Sequence, residues 1–209
     1  MTLHSYLLFV FASLVLVLVP GPDMAYMLAR CIAQGRRAGM LAALGFNLGG
    51  YVHLTAAVLG LSAILATSSS AFTVVKWLGA GYLIYLGIRA FRSTREPLVI
   101  AGDGLTSRHD RTIVWQAFLS DVLNPKVAMF FLALLPQFVS VNAAHATSQI
   151  LLLGVTVNMI ALPTNLVLVC FSARLTEALR RDPRLSQWLQ RSMGILFVSL
   201  GLRLAVEKA

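Results

Sequence analysis

At 209 residues the chain has the length of one or two soluble domains, but 58% of it is hydrophobic, only 12% is charged and its mean hydropathy is +0.79. A soluble domain carries about 25% charged residues, so a soluble fold is excluded and an all-α integral membrane protein with several spans is predicted. The net charge of +9 does not point to nucleic acid, because the basic residues fall in short segments between apolar runs, without a basic helix carrying interleaved aromatics.

A membrane span needs about 20 mostly apolar residues. From Ser5 to Pro22 there is no charge, which predicts a first span that breaks at Pro20-Gly21-Pro22-Asp23 and continues towards Ala29. The N-terminus has no basic n-region and no small-residue cleavage site, so it reads as a retained span and not as a signal peptide. Arg30, Arg36 and Arg37 form a short basic loop. Between Arg37 and Lys76 the only group that titrates near neutral pH is His53, and that run is too long for one span. Thr67-Ser68-Ser69-Ser70 is the turn within it, dividing span 2, about Gly39 to Ala66, from span 3, about Phe72 to Ile88.

The longest polar stretch, Arg89 to Arg111, comes next. Span 4 runs from about Ile113 to Gln137 and holds Asp121 and a second break, Leu123-Asn124-Pro125-Lys126. A nearly uncharged turn at Val141 to Thr147 leads to span 5, about Gln149 to Ser172. A charged segment broken at Asp182-Pro183 precedes span 6, about Leu189 to Val206. The loops after spans 1, 3 and 5 are rich in arginine, whereas the loops after spans 2 and 4 hold no Lys or Arg apart from Lys76 just inside span 3. Positive loops stay in the cytoplasm, so six helices with both termini outside are predicted.

The chain echoes itself. Leu86-Gly87-Ile88-Arg89 closes span 3 and Leu200-Gly201-Leu202-Arg203 closes span 6, while Pro22-Asp23 lines up with Pro125-Lys126. Halves of three spans each point in opposite directions, which is the inverted-repeat plan of many secondary transporters. The expected organisation is a single transporter domain over residues 1–209. Repeat 1 covers about 1–92, a cytoplasmic loop about 93–111, and repeat 2 about 112–209, with helices 1 and 4 broken at their prolines.

Those breaks carry the chemistry. Proline removes a backbone donor, and in lipid the freed groups need partners within the protein or a water-filled cavity. A charge inside the bilayer must be paired, hydrated or neutralised. Pro22 and Pro125 thus flank a candidate substrate site. Lys126 would meet a substrate carboxylate, and Asp23 would meet an amino group or carry an exchanged proton. Asp121 is a second candidate proton carrier, its structural alternative being a direct pair with Lys126. His53 is a candidate relay, the alternative being a hydrogen-bonded packing histidine. Asn47 and Asn158, mid-span in opposite halves, would line the cavity or bond between helices. Asn124 would cap backbone freed by Pro125 or touch the ligand. Gly45-Phe46-Asn47-Leu48-Gly49 is a GxxxG motif suited to close helix approach. Lys76 beside Trp77 reads as an interfacial anchor, as do Arg89 and Arg203 at span ends. Cys31 and Cys170 form no CxxC motif and read as small packing residues.

In order and spacing, several motifs together resemble the LysE/RhtB family of amino-acid exporters. They are Pro20-Gly21-Pro22-Asp23, Gln34-Gly35-Arg36-Arg37-Ala38-Gly39 leading into the glycine-rich span with His53, Lys76-Trp77-Leu78-Gly79-Ala80-Gly81-Tyr82-Leu83, Tyr85-Leu86-Gly87, Leu123-Asn124-Pro125-Lys126, Phe130-Phe131 and Pro136-Gln137-Phe138. The resemblance implies a bacterial inner-membrane exporter of amino acids such as lysine, homoserine, threonine or leucine, driven by the proton motive force. The motifs do not select among those substrates. The expected partners are the amino acid, protons, membrane lipid and a possible second copy of the chain, with no cofactor.

Two other functions fit a chain of this kind less well. A transmembrane thiol–disulfide relay would place cysteines beside the broken-helix prolines, where this chain has Asp23 and Lys126. Divalent-metal efflux would need several facing His, Asp or Cys residues, and Lys126 would repel the cation. No GxxxxGK loop binds ATP and no nucleophile–base pair supports an enzyme, so an ion gradient is the expected energy source.

Overall fold

The computed structural model describes residues 2–67, 108–139, 146–181 and 183–206, with isolated positions between 77 and 91. Among the described residues every regular element is helical. Helix α1 (Leu3–Leu18) is opened by Thr2, whose side chain accepts a hydrogen bond from the Ser5 amide. It stops just before Pro20. Helix α2 (Pro22–Gln34) then starts on a proline, where the missing N–H is one the first turn would leave unpaired anyway. The two axes bend by 51°. Gly35, at φ 81°, holds a backbone conformation open to glycine and turns the chain into α3 (Arg36–Thr67).

Helix α3 ends at Thr67, the first residue of the predicted turn. Most of predicted span 3, with Lys76 and Arg89, lies outside the described residues, as does the polar stretch up to residue 107.

The second broken helix comprises α4 (Asp110–Val122) and α5 (Pro125–Met129), the whole segment Pro125–Phe138 being bent 46° from α4. Beyond α5 the chain widens into a π-helical turn over Phe130–Leu134 and tightens into a 3₁₀ turn over Leu135–Phe138. Pro136 has a physical part in this. It has no N–H to return to Leu132, and the ladder ahead of it shifts by one, the Leu135 amide donating to Phe130 O. Helix α6 (Ala146–Cys170) carries Pro163 in its interior. Helices α7 (Ser172–Arg181) and α8 (Pro183–Val206) meet at the predicted Asp182-Pro183 breaker.

By length and apolar composition, α3 over Arg36–Gly60 and α6 can each cross a membrane, and each bent pair together meets the same criterion. Helix α8 contains all of predicted span 6, whose apolar run is short and interrupted by Arg191 and Arg203.

Packing is that of a protein in lipid. Leu7, Phe11, Leu14 and Leu18 of α1, Leu44, Leu48 and Leu59 of α3, and Leu151, Leu152 and Met159 of α6 face outwards. Small side chains such as Ala12, Ala42, Ala43 and Ala57 face inwards and let backbones approach. The central helix is α3, packed mainly on α4, α6 and α2. Gly45 faces the Val114 carbonyl and Phe118 amide of α4, and Gly49 faces Asp121. Two apolar clusters form around this axis. One joins Phe9, Leu16, Phe130, Phe131, Ile150 and Leu153, and the other joins Met27, Phe46, Ile113, Ala117 and Val169.

A further contact is reciprocal. A methyl group on Gly87 would stand 2.8 Å from Gly194 O of α8, and one on Gly201 would stand 2.9 Å from Ala80 O. The register that lays Gly87 on Gly201 lays Ala80 on Gly194, so each contact is the other with the halves exchanged.

Candidate functional site

The two breaks come together and satisfy each other. Helix α1 ends without an α-helical continuation, which frees its last carbonyls. Lys126 Nζ, from the second break, donates to two of them, Leu16 O at 3.0 Å and Val19 O at 3.2 Å. In return Asp23, from the first break, accepts from Ser120 Oγ at 3.0 Å and from Asn124 Nδ2. Asn124 joins the halves, because its Oδ1 also accepts from the Lys126 amide at 2.9 Å and so caps α5. Capping and contact with the site are therefore combined in one carboxamide.

These groups border a cavity of about 60 Å³ that touches members of both apolar clusters. It lies at mid-length along α3 and α6. Its polar lining is Asp23, Asn47, Asp121, Lys126, Asn158 and Asn165, and its apolar lining includes Leu16, Val17, Met24, Phe46, Phe131 and Val157. A water needs about 10–15 Å³ on this measure, so the cavity has room for a few waters and must widen to admit an amino acid.

Asn47 and Asn158 do both things expected of them. Each lines the cavity, and Asn47 Nδ2 donates to Asn158 O at 3.0 Å, tying α3 to α6. Asn158 Nδ2 turns back to Gly154 O at 3.1 Å, and its Oδ1 lies against the bare backbone of Gly50.

Asp121 has a different partner from the one considered in the sequence. It does not pair with Lys126, five residues away. It lies beside His53, whose Nε2 donates to Asp121 O at 3.0 Å and stands 3.9 Å from Asp121 Oδ2. The reason is geometric: α5 bends away after Asn124 and carries the Lys126 stem to the end of α1. The His53 ring also stacks on Phe131, centroids 5.8 Å apart and planes at 21°.

The lysine therefore uses two of its three ammonium hydrogens on backbone, and the Asp23 carboxylate uses part of its capacity on Ser120 and Asn124. One donor and further acceptor sites remain for a ligand that carries both a carboxylate and an ammonium group. Cys31 is buried on α2 and Cys170 is exposed at the end of α6, both away from the breaks. Among the described residues no three His, Cys, Asp or Glu side chains converge as metal ligands.

Two residues of the site went unrecognised in the sequence, Ser120, which donates to Asp23, and Asn165, which lines the cavity. Asn165 had a signal, since Pro163-Thr164-Asn165 repeats the pattern of a proline followed by a polar group within an apolar run. Ser120 had none, because a serine in an apolar helix ordinarily bonds to its own preceding turn.

Comparison with known proteins places the chain in a family. The family model described as LysE type translocator matches residues 14–208. An uncharacterized membrane protein of Vibrio cholerae is 30% identical over the whole of both chains. A leucine efflux protein of Enterobacter sp. (strain 638) is 31% identical over 94% of this chain and 93% of its own. The uncharacterized membrane protein YrhP of Bacillus subtilis is 28% identical over 96% and 98% respectively. No solved structure matches the chain.

Proposed function

We propose, on the premise that this chain belongs to the LysE type translocator family, that it is a secondary transporter that exports amino acids across the bacterial inner membrane. The observation that carries this reading is the pair of cross-satisfied breaks, with Lys126 on the α1 carbonyls and Asp23 on Ser120 and Asn124. A zwitterion matches both at once. Its carboxylate takes the remaining donor of Lys126, and its ammonium group adds to Asp23.

The apolar wall of Leu16, Val17, Phe46, Phe131 and Val157 favours a neutral, aliphatic side chain. Similarity to a protein named for leucine efflux points the same way. Leucine is accordingly the first substrate to test. The energy source in this reading is the proton motive force, and the arginine-rich loops after spans 1, 3 and 5 lie in the cytoplasm, with both termini outside.

The inverted repeat is part of the proposal. It is supported by the exchange of roles between the breaks and by the reciprocal contacts of Gly87 and Gly201. Transport then consists of widening the cavity to one side at a time as the bent pairs rock about their prolines.

The test is export from cells loaded with dipeptides, with every amino acid in the medium measured, with and without the protein and with a protonophore. A protein-dependent rise of leucine or a similar neutral amino acid, abolished by the protonophore, is expected. No rise of any amino acid sinks the reading.

A further inference from the structure

Three ionisable side chains line the cavity, Asp23, Asp121 and Lys126, and His53 stands behind Asp121. The two carboxylates are housed very differently. Asp23 has a donor on each oxygen, Ser120 on one and Asn124 on the other. Both of its acceptor oxygens are thus already engaged within the protein. The Asp121 side chain is only 8% exposed, and its Oδ2 has no hydrogen-bond partner among the described residues. A buried oxygen of that kind is costly when it carries charge. Against it lies the bare backbone of Gly49, where a methyl group would stand 2.6 Å from Oδ2.

The groups facing Asp121 from each neighbouring helix can be named. They are His53 from α3, Asp23 from α2 and Lys126 from α5, while α6 contributes the uncharged Asn158. Lys126 balances one carboxylate. A proton on Asp121 therefore leaves the empty cavity neutral, the state that returns after the substrate has left. Asp121 also breaks the symmetry of the halves: the register that lays Asp23 on Lys126 lays Leu18 on Asp121. One break thus carries a titratable group that the other lacks.

We propose that Asp121 is the proton-carrying group of the transport cycle, held in place by His53, while Asp23 is the anchor for the substrate ammonium. The assignment rests on the exporter reading above. The proton binds to Oδ2 while the cavity faces the acidic side and leaves to water when the cavity opens to the other side. Loss of that proton turns Oδ2 into an anion that demands a donor. Lys126 is the cation that answers, and to do so it must release Leu16 O and Val19 O at the end of α1. Proton occupancy and the closure of the first break are linked through that lysine. His53 is a positioning residue, fixing the Asp121 backbone through its Nε2 hydrogen bond.

The experiment uses the full chain in liposomes holding a pH-sensitive dye, with each of the common amino acids as probe, leucine first. Two quantities are read: substrate–substrate counterflow, and proton movement driven by a substrate gradient. In Asp121→Asn, counterflow is expected to persist while substrate-driven proton movement is lost. In Asp23→Asn both are expected to be lost. His53→Gln is expected to keep counterflow and displace the pH profile of net transport by about half a unit or more.

The assignment is overturned if Asp121→Asn still couples protons, or if it loses counterflow while remaining monodisperse. Should Asp121→Asn fail to insert, an unchanged pH profile in His53→Gln overturns it alone. Wild-type liposomes with counterflow but no proton movement would remove proton coupling and this assignment with it. Wild-type liposomes with neither activity sink the exporter reading itself.

Discussion

Lys126 holds two roles at one atom. Its Nζ is both the donor that closes the α1 terminus and the free cation of the cavity. Lys126→Met keeps the stem and removes every donor, leaving two carbonyls at a helix end without partners. Losing one side of a buried charge-assisted contact costs about 2–5 kcal/mol, so export is expected to fall by about thirtyfold or more. Measuring export alongside the amount of protein in the membrane separates loss of function from loss of the chain. The glycines of α3 allow a matched comparison. Gly49→Ala places a methyl group 2.6 Å from Asp121 Oδ2, and Gly60→Ala meets nothing within 4 Å. The first is expected to lower thermal stability by about 1–3 kcal/mol, as overpacking does, and to impair export. The second is expected to leave both unchanged. A melting curve in detergent and an export assay decide the pair.

At the scale of the element, the bends carry the argument. Pro125 starts α5, and the segment Pro125–Phe138 that it opens is bent 46° from α4. Pro125→Ala restores an N–H and permits helix to run on through Asn124. The Asn124 cap and its bond to Asp23 then compete with a straight helix. Export is expected to drop several-fold while the membrane level of the protein holds, as an export assay with an immunoblot would reveal. Both breaks were legible in the sequence because proline acts locally and needs no partner to act. The ends of α3 and α6 were legible to within a few residues for a similar reason, since apolar runs between charges are counted directly. The π-helical turn at Phe130–Leu134 was not legible, because the shift depends on how Pro136 and the packed phenylalanines share the space. Nor were the partners of the charged residues. Asp121 and His53 are 68 positions apart, and Lys126 and Leu16 are 110 apart. Five positions is a poor spacing for a pair on one helix, and only the break at Pro125 made Asp121 with Lys126 conceivable; only the folded chain brings α1 and α3 to them.

At the scale of the whole molecule, the arginine distribution and the broken helices make a joint claim about orientation. If the loops after spans 1, 3 and 5 are cytoplasmic, a C-terminal alkaline phosphatase fusion is expected to be active and a C-terminal fluorescent-protein fusion dark. The opposite pair of results would invert the topology and put the substrate path in the reverse sense. The molecule is also asymmetric in strength. The described helices α2, α3, α4 and α6 are bound to one another through small residues and the Asn47 bridge, whereas α1 leans on α6, α8 and the 3₁₀ turn. That distribution leaves α1, the outer arm of the first bent pair, as the element freest to rock.

The mutual closure of the breaks also bears on how the chain is made. The carbonyls of Leu16 and Val19 emerge from the ribosome long before the lysine that closes them, which lies 110 positions beyond Leu16. At about 5–20 residues per second, the first broken helix waits roughly 5–20 s in the membrane before its partner is synthesised. During that wait its open end must be sheltered by the insertion machinery or by lipid headgroup water. A nascent chain arrested before Ser120 is therefore expected to be cross-linked to the insertion machinery through α1, and one extended well past Lys126 to be released from it.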